Sequence, residues 1–483
     1  MRHLHAAKGP CCCRRELLQT AGAAAGTILF LSGRSLVAAA AEGTPPRKKA
    51  AATVRGAFVY PPSASVRKTG YWSWPGSSFD PERQQKQYTG RLKEIQQKLG
   101  IRIAMDDKPL DAPADAARFI HEVKQEKPDG LLLVPFKKWH WRHVPRIIDQ
   151  TKLPTIVSAP LGVLLVDHIN QLHRKPGVYL IASMDNLDAV EYGMRMIRTA
   201  RWMKDSRIVN IQGSKVSQAT VPHLGTQVRT VPLSRFIDEF KRMEATKAVK
   251  QLARAYLKNA KEVVEPTEAD VVDAAKTYFV LKRILEAEQG DAIMMECLGG
   301  LRKPHKHPPP CMGFMSLRDE GLAAGCQSDL NSTLTLMLAQ QLFDRPGFQQ
   351  NAAMETEKNH FFGAHCTSAS KMNGVGGPSE PYILRTHNEA GWGCVPQVLF
   401  RAGQEVTMAL YLSGKAPQML VYTGKVVRCY PKAKGGCRTN LEMTINEVKD
   451  ACDVKGMHQI VFYGDYGRQL RRFCQLYGIN AVS

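Results

Sequence analysis

Short apolar runs alternate with amphipathic segments through the first 300 residues of the chain. The runs read as strands and cover residues 54–60, 101–105, 130–136, 155–159, 178–182, 207–211 and 228–231. Segments with apolar residues every three or four positions lie between them, at residues 82–99, 114–125, 141–150 and 187–203. Strands that alternate with helices at this spacing form parallel sheets covered on both faces. The pattern therefore predicts two doubly wound parallel-sheet α/β domains, at residues 54–175 and 176–300.

Helical periodicity continues beyond the strand that ends at Val231. An apolar stripe from Phe236 to Tyr256 predicts one long helix. Thr267, with Asp270 three residues later, has the spacing of a capping box and predicts that a second helix begins there. A further strand is expected at residues 291–295.

The pattern changes after Cys297, where glycine, proline and histidine become frequent. After Gly391 the chain carries short apolar runs separated by turns, without a long helix between them, at residues 405–412, 419–423, 425–429 and 441–444. A strand at 458–463 and a helix at 468–477 follow. This pattern is typical of an antiparallel β-barrel or sandwich. We assign residues 301–483 to a C-terminal domain that contains an antiparallel β-barrel.

The N-terminus has the layout of a secretory signal. Arg14 and Arg15 precede a charge-free stretch, residues 20–33, and small residues at 38–41 form a cleavage site. We predict a twin-arginine signal peptide at residues 1–41, a linker at 42–53, and export to the periplasm or another extracytoplasmic space. An uncleaved or chance pattern is the alternative. The apolar run, residues 17–33, is too short for a membrane span, and no longer run follows.

Composition narrows the choice of function. The 483 residues have ordinary globular composition, which excludes fibrous and wholly disordered proteins. The net charge is +22, and basic residues occur in every segment instead of forming one patch. A nucleic-acid interface is therefore not expected. Nine cysteines remain beyond the signal, an odd number without a CxxC pair, which predicts mostly buried thiols.

No common nucleotide-binding or hydrolase motif is present. The chain lacks a GxGxxG turn after a strand, a P-loop and a GxSxG elbow. Residues 139–143, Trp-His-Trp-Arg-His, could stack on a sugar or a base. The alternative is the start of a helix with its aromatic side chains in the core.

Carboxylate and imidazole side chains concentrate between Cys311 and His387. They are Asp319, Glu320, Asp329, Glu355, Glu357, His360, His365 and His387, with His305 and His307 just upstream. Such ligands suit Mn²⁺, Mg²⁺ or Fe²⁺ better than a zinc ion held by thiolates. A histidine in such a loop more often forms an ordinary hydrogen bond, so spacing alone does not assign a site.

Three parts of the C-terminal half resemble a known family. Residues 324–337, AGCQSDLNSTLTLM, the strand 458–464, HQIVFYG, and the β segment between them resemble the C-terminal half of L-fucose isomerase. L-arabinose isomerase is a more distant relative. The predicted βαβ units agree with the architecture of that family, so the resemblance extends over most of residues 54–483. It implies aldose–ketose isomerisation of a monosaccharide on Mn²⁺, in a homo-oligomer that is a trimer or hexamer.

The resemblance also implies where the site lies. The glutamate, aspartate and histidine of the family correspond to Gln327, Asn351 and His458, so only the histidine is retained. An amide brings no charge to a cation and does not act as a base near neutral pH. Either nearby Asp329 or Glu355 takes over, or the chemistry has been lost.

Three residues are candidate substitutes for the missing carboxylates: Glu296, Asp329 and His365. We therefore expect a sugar isomerase-like protein with a degenerate site, in which Gln327, Asn351 and Asp329 are the catalytic positions. His458 is the expected metal ligand, with Glu296 and His365 as substitutes. The alternative is a catalytically inactive carbohydrate-binding descendant of the same fold.

Overall fold

The computed structural model describes residues 49–483, except residues 71–73, 75, 185–186 and 432–436. The predicted signal peptide and residues 42–48 of the predicted linker lie outside the described residues. Contacts between residues group Gly43–Ser483 into one compact unit. Within the part described, no helix has both the length and the apolar character needed to cross a membrane.

The first sheet contains five parallel strands. They are β1 (Thr53–Val59), β2 (Arg102–Met105), β3 (Gly130–Pro135), β4 (Thr155–Pro160) and β5 (Val178–Ser183), and their order is β2-β1-β3-β4-β5. The accompanying helices are α1 (Ser63–Thr69), α2 (Pro81–Leu99), α3 (Pro113–Glu126), α4 (His143–Thr151), α5 (Val166–Leu172) and α6 (Asp188–Lys204). The predicted alternation of strands and helices is confirmed for this sheet.

Helices cover both faces of the first sheet, and every residue of its central strand, β3, is buried. Leu132 and Val134 of β3 pack on the side of α2 and α6, whereas Leu131 and Leu133 pack on the side of α3 and α4. The predicted boundary at residue 175 does not coincide with the edge of this sheet. The strand that starts at Val178 pairs with β4 and completes the first sheet instead of opening the second.

The second sheet has the order β11-β10-β6-β8-β7, in which only the edge strand β7 is antiparallel. Its strands are β6 (Arg207–Ile211), β7 (Ser217–Thr220), β8 (Gln227–Val231), β10 (Ala292–Met295) and β11 (Ala323–Cys326). The elements between them are α7 (Leu233–Arg242), α8 (Lys247–Asn259), β9 (Glu262–Val263), α9 (Glu268–Ala287), α10 (Leu298–Leu301) and α11 (Cys311–Asp319). Because β11 lies beyond residue 300, this sheet also crosses a predicted domain boundary.

The single long helix predicted from Phe236 to Tyr256 is wrong. Met243 leaves the helical conformation with a ψ of 111°, and α8 starts after Thr246, whose side chain accepts a hydrogen bond from Val249 N. The new cap allows the chain to turn while both helices keep their apolar faces inward. The predicted capping box at Thr267 is confirmed by reciprocal bonds with Asp270.

The remaining strands belong mainly to an antiparallel sheet. The elements are α12 (Leu330–Phe343), β12 (Phe348–Gln349), β13 (Asn351–Glu355), β14 (His360–His365), β15 (Tyr382–Arg385), β16 (Val395–Val398), β17 (Glu405–Leu412), β18 (Gln418–Arg428), β19 (Thr439–Met443), β20 (Ile460–Tyr463), α13 (Gly467–Tyr477) and β21 (Asn480–Val482). The order is β12-β20-β17-β18-β19-β14-β13, with β21 paired in parallel to β18. Strands β15, β16 and β9 form a separate small sheet.

Two details of the antiparallel sheet differ from the sequence pattern. The strands predicted at 419–423 and 425–429 are one strand, β18, with an irregular register between Val426 and Arg428. The strands at the two ends of the sheet, β12 and β13, are separated along the chain by Gln350 alone. One short segment of the chain therefore supplies the strands at both edges of the sheet.

Helix α12 lies between the sheets and positions the candidate site. Eight successive residues, 332–339, are buried. One continuous core contains Leu334 and Leu338 of α12, Met294 of the second sheet and Tyr411 of the antiparallel sheet. Gly325 of β11 permits close packing, because a Cβ atom there would lie 1.9 Å from Thr333 Oγ1. Helix α12 has no polar face, because its few buried polar side chains are serine and threonine, and a helix of this kind is typically buried on all sides.

A buried carboxylate ties three strands of the antiparallel sheet together. Glu442 of β19 accepts hydrogen bonds from Arg428 Nε at 3.0 Å and from the Tyr430 hydroxyl, and it is bonded to His360 Nδ1 at 2.6 Å. Burial alone would raise the pKa of this carboxyl. The bonds from Tyr430, His360 and Arg428 outweigh burial and lower the pKa of Glu442 to about 2.

We expect Glu442→Gln to lower the free energy of unfolding by about 2 kcal/mol at pH 7. A depressed carboxyl pKa stabilises the fold above the pKa of the unfolded chain, and this contribution disappears as the pH falls towards 2. The difference between wild type and variant should therefore shrink between about pH 5 and pH 2. Chemical denaturation across this range measures it, with exposed Glu357→Gln as the control. A difference independent of pH would contradict the prediction.

Candidate functional site

The start of α12 and the start of β20 bring together two predicted site residues. Asp329 caps α12, because its Oδ1 accepts a hydrogen bond from Ser332 N at 2.9 Å. Its other oxygen, Oδ2, is bonded to His458 Nδ1 at 2.8 Å. Ser332 Oγ donates to the carbonyl oxygen of His458 at 2.7 Å. Side chain and main chain of His458 are thus both fixed to the first turn of α12.

The backbone around this pair is unusual. Gln327, Ser328 and His458 have φ angles of 58°, 51° and 59°, in the left-handed region. This region costs a residue with a side chain roughly 1–2 kcal/mol. Such conformations persist where the surrounding structure holds them, and they concentrate at functional sites. Here Ser328 N donates to Met295 O at 3.0 Å, which holds the turn against the second sheet.

His365 lies beside His458 in the interior. It ends β14, is 3% exposed, and its ring centroid is 5.7 Å from that of His458. Within the described residues neither of its ring nitrogens has a hydrogen-bond partner. Burial lowers the pKa of His365 to about 3, so the imidazole is neutral near pH 7. A neutral, buried imidazole is suited to accept a hydrogen bond or to ligate a metal.

Two predicted residues lie at the carboxyl ends of neighbouring strands. Met295 of β10 pairs with Cys326 of β11, so Glu296 and Gln327, which follow them, lie at the same edge of the second sheet. The Glu296 carboxylate accepts from Gly299 N at 3.1 Å. Ligands commonly bind beyond the carboxyl ends of parallel strands.

Asn351 and Glu355 lie at opposite ends of β13. Asn351 pairs with Ala364, which precedes His365, so this amide starts its strand near the two histidines. Glu355 pairs with His360 at the other end of the hairpin and is 3.4 Å from Lys358 Nζ. The two positions are four residue steps apart along the strand, or about 13 Å. Glu355 therefore lies at the far end of β13 from Asn351, and its role as a substitute stays a prediction.

Burial places two unpredicted side chains behind Gln327. Arg318 is 1% exposed, and its Nε and Nη2 donate to Ala324 O at 2.9 and 2.6 Å. Its Nη2 also donates to Gln349 Oε1 at 3.3 Å, and the same oxygen accepts from Cys326 N at 2.9 Å. Burial lowers the pKa of Arg318 to about 10. The only sequence signal was one arginine inside an otherwise apolar helix.

The thiols and the Trp/His cluster have mainly structural surroundings. Six of the nine described cysteines, Cys297 and Cys326 among them, are buried, as expected, and all nine are free thiols. The sulfur atoms of Cys297 and Cys326 are 3.5 Å apart. In the Trp/His cluster, Trp141 and His143 are buried at the start of α4, whereas Trp139 is exposed.

Comparisons with known proteins do not identify the chain. No protein-family model matches it, and no curated protein matches it. Across the described ranges, no three histidine, cysteine, aspartate or glutamate side chains are grouped closely enough to hold a metal ion. The candidate site is centred on the Asp329–His458 pair, with His365 beside it, because these are the predicted site residues whose side chains are in direct contact or adjacent.

We expect Asp329→Ala to destabilise the protein by about 1 kcal/mol, because it removes the cap of α12 and the partner of His458. Asp329→Asn should retain most of this stability, since an asparagine oxygen also caps a helix. Thermal and urea unfolding of both variants test this. Equal losses in the two variants would show that capping is not the main structural role of the residue.

Proposed function

We propose that this protein is a sugar isomerase-like protein that binds a monosaccharide at the carboxyl ends of β10 and β11. The observation that supports this best is the hydrogen-bonded Asp329–His458 pair, with the imidazole of His365 beside it. The nitrogens of that imidazole have no hydrogen-bond partner among the described residues. The L-fucose isomerase resemblance supplies the reaction class, an aldose–ketose isomerisation.

The Asp329–His458 pair supplies a group that can move a proton. When Nδ1 of His458 carries the proton and donates a hydrogen bond to Asp329, the other ring nitrogen, Nε2, has a free lone pair. This nitrogen would take the proton from C2 of the aldose and return it to C1 through an ene-diolate. In the same conversion the proton of the C2 hydroxyl passes to the oxygen on C1, so no other proton donor or acceptor is consumed. Asp329 fixes the orientation of the ring and stabilises the imidazolium that forms.

The two amides that replace the family's carboxylates suit hydroxyl recognition. The side chains of Gln327 and Asn351 each offer a carbonyl oxygen and two N–H donors. Sugar hydroxyls both donate and accept, so the amides would bind them without adding charge. They would hold the substrate, and the proton transfer would fall to His458.

The Mn²⁺ implied by the resemblance would draw electron density from two neighbouring sugar oxygens. Amide oxygens of Gln327 and Asn351 and imidazoles of His365 and His458 are donors that such an ion accepts. The charged cage of the family is nevertheless missing, because Asp329 is occupied as a cap and as the partner of His458. Neutral amides and imidazoles do not replace the charged carboxylates that hold the ion in the family, so the proposed proton transfer does not involve a metal.

A second candidate function is carbohydrate binding without turnover. The neutral amides at 327 and 351 favour it, because they remove the two acidic groups that the family uses. In this case the Asp329–His458 pair would only hydrogen-bond a hydroxyl.

Three broader proposals accompany the function. We propose that the antiparallel sheet closes into a barrel, because β12 and β13, at its two ends, are nearly continuous along the chain. Export through a twin-arginine signal is proposed from the N-terminal pattern. Assembly as a trimer or hexamer is proposed from the resemblance alone.

Deuterium incorporation tests the proton transfer. The full chain is incubated in D₂O with L-fucose, L-arabinose or other aldoses, and NMR follows ketose formation and exchange at the carbon next to the carbonyl. We expect exchange in wild type and in the exposed control His121→Ala. His458→Ala and Asp329→Asn should each lower kcat at least 100-fold, about 2.7 kcal/mol in activation free energy.

The same samples separate the alternatives. Saturable sugar binding without exchange would support the binding protein, and the absence of both would contradict both functions. Elemental mass spectrometry gives the metal content. One Mn²⁺ per chain, lost in His458→Ala but kept in His121→Ala, would contradict our proton transfer without a metal and favour the mechanism of the isomerase family.

A further inference from the structure

A cavity lies at the opposite end of α12 from the candidate site. It has a volume of about 650 Å³ and is bounded by β5, α6, the end of α12 and the start of α13. Helix α12 has 14 residues, so its two ends are about 21 Å apart. Ligand pockets for small molecules span roughly 300–1,000 Å³. The cavity therefore has the size of a ligand site and is separate from the Asp329–His458 pair.

Four neighbouring aromatic rings line one side of the cavity. Tyr179 meets Tyr192 edge-on at 6.2 Å, Tyr192 stacks with Phe343 at 6.2 Å, and Phe343 stacks with Tyr466 at 4.3 Å. All four are half-buried. The Tyr192 hydroxyl donates to Gln469 O at 2.7 Å, which fixes that ring. Rings of this kind offer flat apolar faces to a ligand.

Two arginines of α13 face these rings. Arg468 and Arg472 lie one helical turn apart, and both line the cavity. The other charged lining residues are Arg195, Asp188 and Asp344; Arg195 forms an ion pair with Glu191, and Asp188 forms one with Arg91. In the part of the chain that the structure describes, no ion pair joins either one to a carboxylate. Burial raises the pKa of Tyr179, and the positive charges of Arg472 and Arg468 partly offset this. Guanidinium groups bind carboxylates and sulfate-like anions in two-point contacts.

The floor of the cavity is the open edge of β5. The N–H and C=O groups of successive residues in a strand point to alternate sides. Leu161 N donates to Ser183 O, so in β5 the peptide groups of odd-numbered residues face β4. The even-numbered ones face outward, as Val178 shows, since its carbonyl accepts from Gln475 Nε2 at 2.8 Å. Leu180 and Ala182 continue this outward row and line the cavity. Their N–H and C=O groups therefore face any ligand that enters.

We propose that this cavity binds an anionic carbohydrate, a sugar that carries a carboxylate or a sulfate group. The C–H groups of the sugar pack against the side of this aromatic row that is exposed to the cavity, and the anionic group binds Arg468 and Arg472. Ring hydroxyls bond with the peptide groups of Leu180 and Ala182. This site does not depend on the proposed isomerisation, since it shares no side chain with the Asp329–His458 pair.

Isothermal titration calorimetry of the full chain tests the proposal with glucuronate, glucose 6-sulfate, glucose and inorganic sulfate. We expect at least one of the two anionic sugars to bind tenfold or more tightly than both glucose and sulfate. The stronger of the two identifies the anionic group. The double variant Arg468→Gln/Arg472→Gln should weaken this binding at least tenfold.

Two control variants complete the test. Arg254→Gln removes an exposed arginine of α8 and should leave binding unchanged, as should His458→Ala, which alters the other site. Equal affinity for glucuronate, glucose 6-sulfate and glucose would overturn the proposal, as would equal affinity for sulfate or no binding at all. Binding that survives in the double variant but is lost in His458→Ala would place the ligand at the candidate site and also overturn it.

Discussion

The arrangement of this protein depends on the burial of one helix from every side. Helix α12 presents no polar face, and the second sheet, α6 and the antiparallel sheet each cover part of it. Its buried hydroxyls are satisfied locally: Thr333 Oγ1 donates to Asp329 O, and Thr335 Oγ1 accepts from Tyr411 N. An unpaired buried polar group would cost about 1–3 kcal/mol, so these bonds permit threonine in the core. The sheets are held in place around this helix.

Along its length, α12 makes mainly packing contacts. Backbone N–H and C=O groups without partners in the helix occur only at its ends, so polar interactions with other parts of the protein concentrate there. At the N-terminal end, Asp329 satisfies the backbone and at the same time binds His458. At the other end, Phe343 joins a row of aromatic rings that opens to a cavity. Both proposed sites therefore arise where α12 emerges from the core. The proposed proton-transfer pair and the proposed anion pocket differ in chemistry because different strands meet the two ends.

Much of the fold could be predicted from the sequence, because buried parallel strands are apolar runs and capped helices carry their caps in the sequence. Helix α12 was not predicted, since a segment that is apolar all round has no periodicity to detect. At the site, the meeting of Asp329 and His458 depends on how β20 lies against α12, 129 positions apart in the chain. Glu355 looked equivalent to Asp329 in composition, and only the hairpin register separates it from His458. The burial of Arg318 could not be predicted, because its hydrogen-bond partners are a backbone carbonyl and an amide instead of a carboxylate that a sequence pattern could pair with it.

The open edge of β5 has a consequence for the behaviour of the protein at high concentration. A strand with unpaired peptide groups can pair with a strand of another molecule, and proteins protect such edges with charged side chains or with covering elements. Gln475 of α13 occupies the first outward carbonyl of β5, and Arg468 and Arg472 place two positive charges beside the rest of the edge. A second copy that approached in the same orientation would bring like charges together. The two arginines that we propose bind an anion would thus also hinder neighbouring molecules from joining their sheets.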